Sequence, residues 1–334
     1  MGFSQVFSNR LGEIKAEQLQ AALDYFDLGK LRRAEPVPAG LFGQNVFLFG
    51  TTGDYVLRGA PHYDWQFPAE QFFAGLLHSK GVKAPYPYLI CNDTKIFGWQ
   101  FALMPKLPGL NAADPATRDG LSFEDRLEIA RVLGQNLAQM HQVKWEFSGT
   151  YSLASRTIQP FPSSFGDWVK SQVRRNLAKA RGYSQVTTVA DEEWLEEKLL
   201  QWSGSLEVPF EPCYIHHDYR EANAVVTRER DGWVVSGVFD LMEGFFGDGD
   251  ADLVRQVFNW IESGENPAIP GEFVRSYREV SPLRPGYRDR LQLYMLNDAS
   301  LIWEYFHRPG HAWHSRPGDF RNWAEPYIRF FADM

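Results

Sequence analysis

The chain is poor in cysteine and has no long apolar run. Cys91 and Cys213 are its two cysteines, far apart in sequence, and no CxxC occurs. Neither a disulfide framework nor a cysteine zinc site is supported. No stretch approaches the roughly 20 consecutive apolar residues that span a bilayer, so no membrane association is expected. The opening MGFSQVFSNRLGEIK has no basic segment followed by an apolar run. No secretory leader is expected there, and cytoplasmic residence follows as the expectation. Basic residues are outnumbered, 34 Lys and Arg against 42 Asp and Glu, for a net charge of −8. A broad basic face for nucleic acid is therefore disfavoured, and the acidic balance suits a cationic partner. Neither GxGxxG nor the GxxxxGK[ST] phosphate loop is present. Internal repeats, low-complexity tracts and long linkers are also missing.

What is present is apolar mass. The 334 residues are 44% hydrophobic and 15% aromatic, enough for two packed units or one large two-lobed domain. Residues 17–28 carry Leu19, Leu23, Tyr25 and Phe26 near helical spacing. Between about 37 and 58 the period changes, with Val46–Phe49 and Tyr55–Arg58 flanking the Gly53-Asp54 turn, and this predicts antiparallel strands. Residues 68–80 read as a helix with Pro68 near its start and Gly81 past its end, and 96–104 as a buried strand. After Pro108-Gly109 the character is helical. Ser122 and Asp125 make an N-cap pair for a helix over 123–142, and further helices are expected near 163–180, 191–203, 251–263, 286–306 and 317–333. A β island at 213–240 interrupts them, with Asp231-Gly232 as its hairpin turn. The expected architecture is α+β and bilobal: a sheet-rich lobe over 1–107, led by the helix, and a helical lobe over 108–334.

The hairpin carries the sharpest chemical signal. Asn223 follows Asp218 at DxxxxN spacing and opens the first strand, and Asp240 closes the second. A hairpin brings its two ends together, so oxygens of Asn223 and Asp240 can converge, with Asp218 in the preceding loop nearby. Two oxygen ligands suit Mg2+, which is held by few protein groups plus phosphates and waters. The free carboxylate of Asp218 can then orient an attacking hydroxyl and accept its proton.

HHDYREAN followed by VFDLMEGFFGDGDADL resembles the aminoglycoside phosphotransferase family, which includes choline- and ethanolamine-kinase-like enzymes. The resemblance extends from about Leu31 to the C-terminus. It implies a protein-kinase-like fold and transfer of a phosphoryl group from ATP or GTP to a small-molecule hydroxyl acceptor. It implies Asp218 as catalytic base, Asn223 and Asp240 as Mg2+ ligands, His216 as a brace of the loop, and Asp252 as the buried carboxylate holding that loop's backbone. His217 stands where the family has glycine, and an extended backbone that tolerates the side chain is expected there. Arg220, beside the base, is a candidate for stabilising the transferring group.

A nucleotide site needs free backbone N–H groups over the phosphates. Gly40, Gly43 and Asn45, in GLFGQN, are the candidates. Arg58, ending the strand YVLR, takes the place of the phosphate-binding lysine of kinases, with Glu70 on the next helix as its partner. LMPKLPG resembles an interlobe hinge, with Met104 behind a base and Pro105 and Leu107 offering backbone groups to it. Three other readings stay open. A protein kinase also uses HxDxxxxN, but Asp240 is followed by Leu241-Met242, and little chain remains for an activation segment. A silent nucleotide-binding protein of the same fold is suggested by His217 and Arg58. A histidine metal site at His307, His311 and His314 lacks regular ligand spacing. Glu243, Asp248 and Asp250 are candidates to face a cationic acceptor, and Trp313 and His314 to wall its pocket.

Overall fold

A computed structural model describes residues 14–37, 44–310 and 318–334. The N-terminal part is one antiparallel sheet with a helix on each face. Its elements are α1 (Ala16–Tyr25), β1 (Leu31–Pro36), β2 (Gln44–Gly50), β3 (Asp54–Gly59), α2 (Gln66–Ser79), β4 (Leu89–Cys91) and β5 (Phe101–Pro105). The strand order is β1-β2-β3-β5-β4. Side chains alternate across a strand, and β5 shows it plainly. Phe101 and Leu103 join Leu57, Leu48 and the α1 residues Leu19 and Leu23 in one cluster. Ala102 and Met104 face the other way, into the main core with Phe73 and Leu77 of α2.

The remainder is mostly helical: α3 (Pro115–Asp119), α4 (Phe123–Met140), α5 (Phe165–Tyr183), α6 (Val189–Trp202), α7 (Leu253–Glu262), α8 (Ala268–Val280), α9 (Tyr287–His307) and α10 (Phe320–Ala332). Two small sheets lie among them. One is the hairpin β9 (Ala224–Glu229) and β10 (Gly232–Val238). The other joins β6 (Gly149–Ser152), β7 (Thr157–Pro160), β8 (Cys213–Ile215) and β11 (Phe245–Gly247) in the order β7-β6-β11-β8. The expected bilobal α+β architecture is therefore observed. Among the described residues no helix is long and apolar enough to cross a membrane.

Local chemistry explains several of these boundaries. Ser122 accepts from the Asp125 amide while Asp125 reaches back to the Ser122 amide, closing the capping box that starts α4. The helix read over 17–28 ends at Tyr25, where Phe26 turns its amide onto the last carbonyls. The strand read over 96–104 begins only at Phe101. Gly98 there has φ 83°, and Phe97 and Trp99 stack at 4.5 Å to cap the small cluster instead of extending the strand. The strands β1, β4, β6, β7 and β11 and the helices α3 and α8 were not expected from the sequence.

The Asp248 and Asp250 carboxylates do not face an acceptor. Arg284 and Tyr294 take Asp248, the hydroxyl at 2.6 Å, and the fully buried Arg290 reaches Asp250 at 2.5 and 2.9 Å. Both acids are consumed in tying the segment after β11 to α9.

Helix α4 packs tightly on α8 at Gly134. A Cβ there would collide with the Phe273 carbonyl and the Ser276 hydroxyl. Gly134→Ala is therefore expected to cost about 1–3 kcal/mol despite alanine's better helix propensity. Chemical denaturation of the two proteins checks this, and an equal or higher midpoint for the variant contradicts the close packing.

Candidate active site

The catalytic-loop candidates hang on one carboxylate. Asp252, almost fully buried, accepts the His216 amide at 2.7 Å on one oxygen and the His217 amide at 2.8 Å on the other. Burial alone would raise its carboxyl. The His141 ring at 3.4 Å and these amides outweigh burial and hold it below the ordinary carboxylate value. His216 is fully buried, and its Nε2 donates to the Phe239 carbonyl at 3.0 Å. The loop is thereby fastened to the end of β10.

At His217 the expectation fails: its backbone is left-handed, φ 69°, not extended. A β-carbon in that region costs about 1–2 kcal/mol, and the two-pronged Asp252 clamp holds the strained turn in place.

Asp218 follows immediately. Its Oδ2 accepts from Asn223 Nδ2 at 2.7 Å and Arg220 Nε at 3.0 Å, and Arg255 Nε lies 3.4 Å from its Oδ1. Burial pushes the carboxyl up, but Arg220, Arg255 and the Asn223 amide together bring it below its ordinary value. Asn223 also donates to the Asp218 carbonyl at 2.8 Å. With its amide hydrogens so used, its carbonyl oxygen is left as a donor to a cation. The hairpin register pairs Ala224 with Val238, and the Phe239 amide bonds to the Asn223 carbonyl of the backbone at 2.9 Å. Asn223 and Asp240 thus leave the same end of the ribbon. Asp240, φ 64°, keeps a partly exposed carboxylate. One of its oxygens takes Arg58 Nη2 at 2.9 Å and the other stays available. Two hard oxygens at one ribbon end fit a hard divalent cation completed by phosphate and water.

Arg58 joins the lobes. One Nη lies 2.9 Å from Glu70 and the other reaches Asp240. Burial disfavours the charged guanidinium, but the Glu70 and Asp240 carboxylates more than restore it, so its value lies above the ordinary one. Burial pushes Glu70 up to about 7 against the pull of Arg58, and Tyr88 donates its hydroxyl to the same carboxylate at 2.7 Å.

The hinge candidates lie beside this centre. Met104 is buried at the end of β5, and Pro105 pairs with Tyr55. Leu107 rests on Gly237 of β10, where a Cβ would meet its side chain at 2.5 Å. The Ser236 hydroxyl, bonded to the Pro108 carbonyl at 2.5 Å, staples hinge to hairpin. Asn45 belongs to β2, opposite Arg58, rather than to a loop, and its buried Oδ1 has no hydrogen-bond partner. Gly40 and Gly43 lie outside the described residues. So do His311, Trp313 and His314. His307 bonds instead to the Trp303 carbonyl at 2.8 Å within α9. No trio of His, Cys, Asp or Glu among the described residues is placed to hold a metal.

Sequence reasoning missed Arg255 and Asp298. Arg255 stands one helical turn after Asp252, a spacing that puts both on one face, so a signal existed. It spans Asp218 and Asp298, the latter at 2.9 Å. Asp298, deep in α9, carried none.

A cavity of about 720 Å³ opens between the two lobes. Tyr63 and Trp65, stacked at 5.3 Å, line it with Asp64, Tyr151, Met242 and Glu243.

A model of the phosphotransferase enzyme family matches residues 33–294. The "Probable ketoamine kinase" of Synechocystis is 25% identical over 49% of this chain and 52% of its own length. The chain spans between 19% and 52% of the length of the curated relatives it matches. Solved structures share the fold along nearly the whole chain. A thermostable variant of aminoglycoside phosphotransferase APH(4)-Ia, in complex with ADP and hygromycin B, has TM-score 0.62 at 14% identity, covering 94% of this chain and 97% of that one. The GDP complex of aminoglycoside 2'-phosphotransferase-IIIa has TM-score 0.63 at 13% identity, covering 96% and 99%.

One carboxyl beside the loop gives a measurable pH signature. Burial pushes Glu221 up to about 7 from 4.5. Its proton is held more tightly in the folded state, so the stability it confers is complete below about 4.5 and lost as pH rises through about 7. Glu221→Gln should match the wild type near pH 4.5 and exceed it by roughly 2 kcal/mol at pH 8. Denaturation at the two pH values checks this, and a difference independent of pH contradicts it.

Proposed function

The chain belongs to the phosphotransferase enzyme family, and from that we infer a small-molecule kinase that moves the terminal phosphoryl group of ATP or GTP, with Mg2+, onto a hydroxyl. The observation that carries this reading is the grouping of Asp218, Asn223 and Asp240 at one ribbon end beside a cation from the other lobe.

The roles follow from the chemistry of each group. Asn223 and Asp240 would hold the metal ion, which when bound neutralises phosphate charge. Asp218 accepts a hydrogen bond from the acceptor hydroxyl and takes its proton as the oxygen bonds to phosphorus and the nucleoside diphosphate departs. Its basicity is held low by Arg220 and Arg255. Orientation of the hydroxyl is therefore its main contribution, with the proton arriving late. Arg220 faces the transferring group, and His216 braces the loop. Arg58, positioned by Glu70, offers a permanent charge and a planar fork to the phosphates. The lobe over 1–107 carries the nucleotide, with Met104, Pro105 and Leu107 at its base. The lobe over 108–334 carries the catalytic loop and the acceptor.

The interlobe cavity is the acceptor's approach. Glu243 and Asp64 beside Tyr63, Trp65 and Tyr151 favour an amine-bearing acceptor through carboxylate and cation–π contacts. The family relatives, named for ketoamine and aminoglycoside substrates, support the same class. Such chemistry belongs in the cytoplasm, where nucleoside triphosphates are made.

The test is product formation from a panel of amino sugars, ketoamines and aminoglycosides with ATP and with GTP, each with and without Mg2+. Metal-dependent phosphorylated product is expected, with kcat lowered about 10²–10⁴-fold by Asp218→Ala. Nucleotide binding without turnover on any acceptor would support a silent binding protein instead.

A further inference from the structure

We propose that His217 is a specificity-determining residue whose imidazole stoppers a polar cavity beside Asp218, restricting transfer to hydroxyls carried on slim, acyclic arms. The proposal rests on the phosphotransferase reading and names the acceptor class for that site.

The backbone at His217 is fixed independently of its side chain. Its amide is held by Asp252, and its left-handed φ of 69° is one that glycine adopts without penalty. A side chain here is destabilising for the turn, so its value lies in where the ring goes. The ring stands edge-on against Phe245, with centroids 5.3 Å apart. With Trp168, Arg255, Tyr294, Asn297 and Asp298 it lines a cavity of about 20 Å³. That is room for one water-sized group.

Phe165, Val169, Phe245 and Val254 make much of the cavity's wall apolar, but one side of it is polar. Asn297 Oδ1 and Asp298 Oδ2, of residues that line it, are buried without hydrogen-bond partners, a state that costs about 1–3 kcal/mol for each atom, and Arg255 Nε has only its 3.4 Å contact with Asp218 Oδ1. Two acceptors without donors and one loosely held donor thus belong to residues around a space the size of one hydroxyl. Arg255 links that space to the base: it lies 3.4 Å from Asp218 and 2.9 Å from Asp298. A hydroxyl on the carbon next to the reacting one can accept from Arg255 and give its single hydrogen to Asp298 or Asn297, while a ring carbon in the same place meets the imidazole. On the other side, His217 Nδ1 lies 4.0 Å from Glu243, which lines the large interlobe cavity. The acceptor therefore lies in that cavity and extends only its vicinal-diol end past His217.

His217→Gly keeps the turn, removes its strain and opens the pocket; His217→Ala opens it with the strain retained. The experiment compares kcat/KM of wild type and both variants for two acyclic acceptors, glycerol and ribitol, and two ring acceptors, methyl α-D-glucopyranoside and hygromycin B. The ratio of ring to acyclic activity is expected to rise about tenfold or more in both variants. Added imidazole should refill the space, raising the melting temperature of His217→Gly but not of wild type and returning the ratio toward the wild-type value. A ratio unchanged within about twofold, or imidazole acting equally on wild type and variant, overturns the proposal. If no protein acts on these four acceptors while the wild type turns over others in the wider panel, this proposal falls and the phosphotransferase reading stands. If nothing is turned over in either panel, both fall.

Discussion

One buried carboxylate organises the centre of this molecule. Asp252 receives two consecutive backbone amides, one on each oxygen, and so fixes the peptide planes that enter His216 and His217, just ahead of Asp218. From there a closed circuit runs through the site. The His216 ring holds the Phe239 carbonyl, the Phe239 amide holds the Asn223 carbonyl, and the Asn223 side chain holds Asp218. Each link is short and mostly buried, so each is strengthened by low local dielectric. Without Asp252 two amides would be left buried at about 1–3 kcal/mol apiece, and nothing would hold the left-handed turn at His217. The position of the Asp218 carboxylate is thus decided by a buried residue 34 positions further on (252 − 218).

The charges around that circuit are arranged in alternation. Arg220 and Arg255 flank Asp218, Asp298 sits beyond Arg255, and Arg58 lies between Glu70 and Asp240. Removing one partner of such a buried set strands the other, which is costlier than the net worth of the pair. Arg58 is also the link between the lobes, because it leaves β3 of the sheet and ends on the residue that closes the hairpin. A guanidinium held on both sides by carboxylates, one of them on a buried glutamate, has little rotational freedom left to lose.

Much of this centre was legible because it is local. Asp231-Gly232 announced the hairpin, and the hairpin implied that its two ends, Asn223 and Asp240, would meet. Ser122 with Asp125 announced the start of α4. Features that depend on distant partners were not legible. The strand β1, LRRAEP, is charged and lies at the sheet edge, so it carries no apolar alternation. Pro270 and Gly271 disguise α8, whose first turn tolerates proline. The run ahead of Phe101 reads as strand by composition, yet its aromatics are used as a lid. Asp248 and Asp250 looked like free acids because Arg284 and Arg290 lie more than thirty residues away. The left-handed turn at His217 is a tertiary demand that histidine gives no sign of. Local rules break where tertiary demands override them, and His217 and Asp240, both at positive φ, are two such places.

Under the proposed reading Asn223 and Asp240 share one divalent ion with the nucleotide next to Asp218. Titration of Mn2+ into the protein with a non-hydrolysable triphosphate, followed by electron paramagnetic resonance, tests it directly. Tight Mn2+ binding is expected only when nucleotide is present, weakened about tenfold or more by either Asn223→Ala or Asp240→Ala. Mn2+ affinity that is the same in both variants as in the wild type would contradict it.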